Sequence, residues 1–237
     1  MVLTGAIVNG IGILVGTLLG LFLTKIPERI KETVMSGIGL TVMLIGLSMA
    51  FASDRIIVIL LSLLTGAIIG EWLRLEDKLN AFGKWIEEKI QKPNETSTIA
   101  QGFVTASLIF VIGAMAVIGA LDSGLRNDHE ILITKAMIDG FVALVLTTTL
   151  GIGVIFSIIP VVLYEGFIAL FATQIEKLLP EPFLGYFIDD MTATGGLLIL
   201  AIGLNLLNIT KIRIANLLPS ILTVGFILYL YHQFFPF

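Results

Sequence analysis

Long stretches without a charged residue alternate along this chain with short polar segments. The stretches that contain no Asp, Glu, Lys or Arg are 1–24, 33–53, 56–70, 96–121, 140–164, 191–210 and 214–237. Most of them match the roughly 20 apolar residues that a helix needs to cross the hydrocarbon core of a bilayer. The pattern therefore predicts an all-α polytopic membrane helix bundle.

The predicted bundle has about eight transmembrane helices, given the usual length of a span. The fifth and sixth helices are ambiguous, because residues 136–175 hold only two charges, those of Asp139 and Glu165. Two crossings joined near 151–153 or near Pro160 fit this segment, and seven helices plus a re-entrant segment are the competing interpretation. We expect helices at about 3–24, 34–52, 56–73, 100–121, 134–151, 154–175, 190–208 and 214–233.

The positions of Lys and Arg favour eight spans, because cytoplasmic loops carry the excess of these residues. With eight spans and the N-terminus outside, ten of the 14 basic residues fall on inner segments. Seven spans would place nine of them inside and five outside. The sequence therefore predicts that both termini lie outside.

The longest polar segment, 74–98, is expected to be an amphipathic helix on the membrane surface. Its apolar residues recur at helical spacing with lysines and glutamates opposite, which is typical of interfacial helices. A binding site for a cytoplasmic partner is the alternative. The apolar positions are Leu75, Leu79, Phe82, Trp85, Ile86 and Ile90.

Several tracts near the start of the chain return in the same order near its end. The matching tracts are 20–24 and 169–173, 25–28 and 177–181, 39–48 and 196–205, and 62–65 and 220–223. Duplication would give one membrane domain, 1–237, with repeat one at 1–73, linking helices at 100–151 and repeat two at 154–233. Chance similarity between Gly-rich apolar helices is the alternative.

The two repeats would have opposite orientations in the eight-span topology, since repeat one begins outside and repeat two begins inside. Inverted three-helix repeats are a common scaffold of transporters, with the transport path near the interface between the repeats. The sequence therefore directs the search for a site to the seam between helices 1–3 and helices 6–8.

Glycines four residues apart are expected to let helix backbones approach closely, because helix association in lipid depends on packing. A homodimer interface is the alternative role. These glycines are Gly12, Gly16 and Gly20 in the first helix and Gly66 and Gly70 in the third.

A Gly pair near the start of the seventh helix predicts a different feature. Gly195 and Gly196 follow Thr192 and Thr194, and such a sequence is typical of an unwound stretch whose carbonyls coordinate Na⁺. The acidic pair at 189–190 would equally complement the dipole of an ordinary helix.

Polar residues at membrane depth are candidate sites, because an ionisable group there is costly unless partners hold it. Asp139, Glu165, Asp122, Asn9 and Asn205 are the candidates. Their oxygens are hard donors that suit Na⁺ or H⁺, and few basic residues are buried, which favours a cation or a neutral solute. For each residue, a structural hydrogen bond or a helix cap is the alternative.

Residues and motifs that many metal sites and common catalytic sites require are absent from this chain. The chain has no Cys and only two histidines, His129 and His232, so thiolate and multi-histidine metal sites are excluded. Nucleotide-binding, serine-hydrolase and zinc-protease motifs are absent. In the absence of these motifs, we expect no enzyme activity and no organic cofactor. With 57% hydrophobic and 14% charged residues, we expect the lipid bilayer and not a nucleic acid as partner.

Three groups of small and polar residues stand out: Gly5–Gly10 with Gly20, Gly113–Ala120 with Asp122–Gly124, and Thr192–Gly196 with Ala215–Pro219. Together they resemble the YdfK/YqgA-type family of uncharacterised bacterial membrane proteins, over essentially the whole chain. The resemblance implies a multi-pass protein of the bacterial plasma membrane and a possible Na⁺ channel or pump. It carries no site residues over to this chain.

The favoured function is a transporter or channel for a small cation, Na⁺ or H⁺, or for a solute coupled to one. A membrane scaffold or signalling protein that uses segment 74–98 is the alternative. An intramembrane enzyme is a further alternative, but no catalytic pattern supports it.

Overall fold

Helices make up almost all of the part of the chain that the computed structural model describes, which is residues 1–23, 28–81, 99–178 and 183–234. No β-strand occurs within these ranges. A 3₁₀ segment, Gly151–Ser157, joins two of the helices, and a short helical stretch, 75–81, follows the third. The helices are α1 (Thr4–Phe22), α2 (Glu28–Ala50), α3 (Ile56–Leu73), α4 (Ile99–Val111), α5 (Ala114–Leu125), α6 (Glu130–Leu150), α7 (Ile158–Leu170), α8 (Ala172–Leu178), α9 (Phe183–Leu206), α10 (Ile214–Leu217) and α11 (Ser220–Phe234).

The described helices confirm an all-helical protein with several spans. Five helical stretches are long and apolar enough to cross a membrane, and α4 with α5 makes a sixth if this bent pair is one span. The five stretches are Thr4–Phe22, Ile56–Leu73, Glu130–Leu170, Phe183–Leu206 and Ile214–Phe234. The predicted count of eight and the inverted repeats are not confirmed by these lengths. Most of the predicted interfacial segment, 82–98, lies outside the described residues.

The chain divides into two compact units, and each contains segments from both ends of the sequence. Unit 1 comprises 1–35 and 82–180, and unit 2 comprises 36–81 and 181–237. Unit 1 therefore contains α1 and α4 to α8, whereas unit 2 contains most of α2 together with α3 and α9 to α11.

In unit 1, α1 packs closely against α6 through its glycines. A Cβ placed on Gly16 would lie 1.9 Å from the carbonyl oxygen of Gly140, so no larger residue fits there. Gly12 approaches the Ala136 carbonyl in the same way, and Gly20 approaches Leu144. The contacts advance in the same direction on both helices, so α1 and α6 are parallel.

The stretch 130–170 reverses direction at its 3₁₀ segment. Its 41 residues would measure about 60 Å as one straight helix, about twice the thickness of a bilayer core. Gly10 of α1 contacts Val162 of α7, whereas Leu3 contacts Gly166, so α7 is antiparallel to α1. Since α6 is parallel to α1, α6 and α7 form a helical hairpin.

Helices α4 and α5 follow one another with a bend of 59°. Gly102 near the start of α4 contacts Leu150 at the end of α6, and Gly119 of α5 contacts Leu132 near its start. The pair as a whole therefore runs antiparallel to α6. At the bend, Gly113 has φ 148°, a conformation that is strained for any residue with a Cβ.

In unit 2, the repeated glycine tracts pack directly on each other. A Cβ on Gly46 would lie 2.7 Å from the Gly196 carbonyl oxygen, and one on Gly203 would lie 2.9 Å from the Gly39 carbonyl oxygen. Helices α2 and α9 are therefore antiparallel, with the first glycine of each tract facing the second glycine of the other.

The other repeated tract of unit 2 makes a similar contact between α3 and α11. The Thr65 hydroxyl lies 3.3 Å from the Thr223 hydroxyl, and the Thr223 hydroxyl donates to the Ser62 carbonyl at 3.1 Å. Next to this pair, a Cβ on Gly66 would lie 2.4 Å from the Ser220 nitrogen, and one on Gly70 would lie 1.9 Å from the Asn216 carbonyl oxygen.

The expected unwound stretch at Gly195–Gly196 is wrong. Helix α9 is continuous from Phe183 to Leu206, so its carbonyls at this point serve the helix and not a cation. Gly196 is needed for a different reason, since a Cβ there would lie 2.5 Å from the Ala50 nitrogen. The glycine allows α2 and α9 to approach and does not break the helix.

Candidate functional site

Four polar side chains from three helices of unit 1 meet in an apolar interior. Asn9 belongs to α1, Lys135 and Asp139 to α6, and Glu165 to α7. Asn9 and Glu165 have no exposed surface, and Lys135 and Asp139 are 6% and 5% exposed. We call these four residues the polar cluster.

Helical geometry accounts for the arrangement of the polar cluster. Lys135 and Asp139 are four residues apart, so they lie on the same face of α6. The hairpin brings α7 back along α6, which places Glu165 beside the start of that helix. Because α1 packs in parallel on α6, Asn9 of α1 lies beside the same three side chains.

Hydrogen bonds and ion pairs join the four side chains. The Asn9 amide donates to Glu165 Oε1 at 2.8 Å. The Lys135 ammonium is bonded to Asp139 Oδ2 and lies 3.5 Å from Glu165 Oε1. The two carboxylates therefore share Lys135.

Lys135 also connects the polar cluster to the bend between α4 and α5. Its ammonium donates to the backbone carbonyl oxygen of Phe110 at 2.7 Å. The last carbonyls of a helix have no partner within the helix and carry a partial negative charge, which a cation stabilises. Lys135 thus caps the C-terminal end of α4 just before the chain turns at Gly113.

Two buried oxygens of the polar cluster have no hydrogen-bond donor among the described residues. They are Asn9 Oδ1 and Glu165 Oε2. Buried polar atoms in proteins are nearly always paired, because an unpaired one loses its interaction with water. These oxygens are therefore candidates to bind a ligand. With all three groups ionised, Asp139, Glu165 and Lys135 carry one net negative charge.

The sequence anticipated three members of the polar cluster and missed the fourth. Asn9, Asp139 and Glu165 were each predicted as candidates, and the structure brings them together. Lys135 was counted with the outer basic residues, because it lay at the very start of the expected helix 134–151. Since α6 begins at Glu130, Lys135 lies more than one turn inside the helix.

A comparison with known protein families matches residues 4–229 to a family described as "Protein of unknown function (DUF554)". The chain belongs to this family. It is 29% identical over 235 residues to the "Uncharacterized membrane protein YdfK" of Bacillus subtilis (strain 168), and this match covers 97% of each chain. It is 32% identical over 223 residues to the "Uncharacterized protein YqgA" of Escherichia coli (strain K12), with 92% of this chain and 93% of the relative covered.

No solved structure matches this chain. The family comparison confirms the resemblance noted in the sequence, including its extent along the chain. It also agrees with the helices in supporting a membrane protein. Neither relative has a described activity in its name, so the function must be inferred from the site.

The remaining candidate residues of the sequence lie outside the polar cluster. Asp122 ends α5 as a partly exposed partner of Arg126, at 3.3 Å. Asn205 fixes the loop after α9, since its amide donates to the Ile212 carbonyl and its oxygen accepts from the Thr210 hydroxyl, both at 2.8 Å. Asp122 and Asn205 therefore occupy structural positions.

Thr192 and Thr194 are buried in unit 2, and their hydroxyls have no partner among the described residues. Near them, the fully buried Asp190 pairs with Arg55 at 3.0 Å. This ion pair joins α9 to the turn between α2 and α3, and no feature of the sequence predicted it.

Among the described residues, no group of three or more His, Cys, Asp or Glu side chains is arranged to hold a metal ion.

Proposed function

We propose that this protein is a transporter or channel for a small cation, Na⁺ or H⁺, or for a small solute coupled to one. The observation that carries the proposal is the polar cluster, which has two carboxylates for one ammonium and two unpaired buried oxygens. Ionisable residues within membrane spans are rare and usually mark ion or proton pathways. Na⁺ prefers such hard oxygen donors.

The bend beside the polar cluster supports a transport function. Discontinuous helices whose ends point at a charged site recur in secondary transporters. Here the end of α4 meets the Lys135 ammonium through the Phe110 carbonyl. The bent pair α4–α5 is therefore in direct contact with the polar cluster.

The contacts between repeated tracts support inverted repeats. In unit 2, the tract around Gly39 and Gly46 lies antiparallel on the tract around Gly196 and Gly203. In unit 1, the first helix of repeat one meets α7, the first helix of repeat two, at Asn9. A two-fold relation between repeats requires such antiparallel pairs, and the Asn9–Glu165 contact supports a site at the boundary between the proposed repeats.

The hairpin of α6 and α7 supports two crossings in this region. Counting α4–α5 as one span then gives unit 1 four crossings of alternating direction. We propose eight spans in the bacterial inner membrane with both termini outside, since this topology gives the favoured charge distribution. We further propose that the protein is not an enzyme and has no organic cofactor.

Flux measurements on the purified full chain in liposomes test this function. With an imposed Na⁺ or H⁺ gradient, we expect flux that falls at least tenfold in Glu165→Gln, because this variant removes the net charge of the cluster. The matched control is Glu130→Gln, an exposed glutamate at the start of the same helix α6. Its flux should equal that of the wild type.

Two results would overturn the transport function. One is the absence of Na⁺ and H⁺ flux in the wild type, which would favour the scaffold or signalling alternative. The other is a flux that Glu165→Gln and Asp139→Asn leave unchanged.

A further inference from the structure

We propose that Lys135 is a built-in counter-charge that restricts the polar cluster to one monovalent cation. The inference rests on the cation function proposed above and specifies its substrate class. It also assigns a role to a residue that is neither a cation ligand nor a simple structural partner.

The charges of the polar cluster set the valence of its ligand. When all three groups are ionised, Asp139 and Glu165 contribute two negative charges and Lys135 contributes one positive charge, so one negative charge remains. In a region of low dielectric constant, an unbalanced charge is costly. One bound monovalent cation makes the net charge of the cluster zero. A divalent cation would instead leave one positive charge, which is as large as the negative charge that it replaced.

Lys135 can keep its place while a cation is bound. An ammonium group has three hydrogens, and three acceptors surround this one: Asp139, Glu165 and the Phe110 carbonyl oxygen. The Phe110 contact involves the backbone at the end of α4 and does not depend on the charge of either carboxylate. A cation that weakens the two ion pairs therefore leaves Lys135 anchored.

The unpaired oxygens provide the place for the cation. Glu165 uses Oε1 for Asn9 and Lys135, which leaves Oε2 without a donor. Asn9 donates through its nitrogen, which leaves Oδ1. Each of the two side chains thus binds its neighbours through one polar atom and leaves an oxygen for a ligand.

Replacing Lys135 with glutamine should change the valence of the ligand. Lys135→Gln leaves two negative charges, and its amide can still donate to the Phe110 carbonyl oxygen. A divalent cation such as Ca²⁺ then balances the cluster. In Lys135→Gln/Glu165→Gln, one negative charge remains, as in the wild type.

Thermal unfolding of the purified full chain in detergent tests this inference, with NaCl and CaCl₂ compared at equal ionic strength. We expect Ca²⁺ to leave the Tm of the wild type unchanged and to raise that of Lys135→Gln by several degrees. The double variant should lose the Ca²⁺ response. Ca²⁺ stabilisation that is absent from Lys135→Gln, or that persists in the double variant, overturns the inference.

Liposome flux separates the two proposals. Wild-type Na⁺ or H⁺ flux without a Ca²⁺ response in Lys135→Gln overturns the valence restriction alone, whereas the absence of wild-type flux overturns the transport function. If Lys135→Gln does not fold, the ion selectivity of wild-type flux tests the valence restriction instead. Ca²⁺ flux that Glu165→Gln abolishes would overturn the restriction, and Na⁺ or H⁺ flux without Ca²⁺ flux would support it.

Discussion

The side chains of Asn9 and Glu165 share a 2.8 Å hydrogen bond, although 156 positions separate them in the chain. The bond joins α1 to α7 inside unit 1, and both side chains are fully buried. Since α1 and α7 begin the two proposed repeats, the proposed boundary between the repeats would run through this contact.

Removal of the Asn9 amide should impair both stability and flux. In Asn9→Ala, Glu165 loses its neutral donor, and an unmet buried hydrogen bond costs about 1–3 kcal/mol. We expect a lower unfolding free energy and flux reduced several-fold per folded molecule. Chemical unfolding and liposome flux measure the two effects.

Asn205→Ala is the matched control for this variant. Asn205 also makes side-chain hydrogen bonds, which are exposed or partly buried, but only to the loop after α9. We expect a loss of stability with unchanged flux per folded molecule. Equal flux losses in both variants would contradict a special role for Asn9.

Two Gly→Ala substitutions should have opposite effects on stability. In Gly16→Ala, the new Cβ collides with the Gly140 carbonyl oxygen, which should destabilise the protein by about 1–3 kcal/mol. In Gly37→Ala, the Cβ meets no atom within 4 Å, and the gain in helix propensity should stabilise α2 by up to about 1 kcal/mol. Unfolding midpoints of the two variants and the wild type test this contrast. A stable Gly16→Ala would contradict the close packing of α1 on α6.

Oxidative cross-linking tests the register of the repeated tracts in unit 2. The Thr65 and Thr223 hydroxyls are 3.3 Å apart, so the variant Thr65→Cys/Thr223→Cys should form a disulfide. The control, Thr65→Cys/Leu222→Cys, uses a neighbouring side chain that is 83% exposed, and it should not cross-link. The natural chain has no Cys, so each gel shift can be assigned. Equal cross-linking of both pairs would contradict the observed register.

Single cysteines can decide how often the segment 130–178 crosses the membrane. With two crossings, Arg126→Cys and Gln174→Cys react with a membrane-impermeant maleimide from the same side, and Ile152→Cys reacts from the other side. With one crossing, Arg126→Cys and Gln174→Cys react from opposite sides. Labelling of intact and opened spheroplasts distinguishes the two outcomes.

The sequence predicted the acidic half of the polar cluster but not its basic member. Asp139 and Glu165 stand alone in long apolar runs, so the cost of a charge in lipid was enough to identify them. Lys135 lay at the start of the expected helix 134–151 and was counted with the outer basic residues. The helix begins earlier, at Glu130, because its first turn depends on local backbone geometry and tertiary contacts as well as on apolar residues.

The two glycine positions show a different limit of sequence reasoning. Gly196 was expected to break a helix, but it packs against α2, whereas Gly113 was assigned to a continuous span and lies at a bend. The absence of a Cβ permits both close approach and unusual backbone angles. Whether a glycine serves close packing or an unusual backbone angle depends on the helix that packs beside it. A single sequence does not show which helix that is.

The division of the chain into units implies an order of folding during synthesis. Unit 1 ends at Pro180, whereas unit 2 needs the residues from Glu181 onward. Domains generally fold as units once their residues have emerged from the ribosome. Lys135, Asp139 and Glu165 can therefore be buried among their partners before α11, the packing partner of α3, has been synthesised. During synthesis, the charged side chains of the polar cluster would thus be paired before unit 2 is complete.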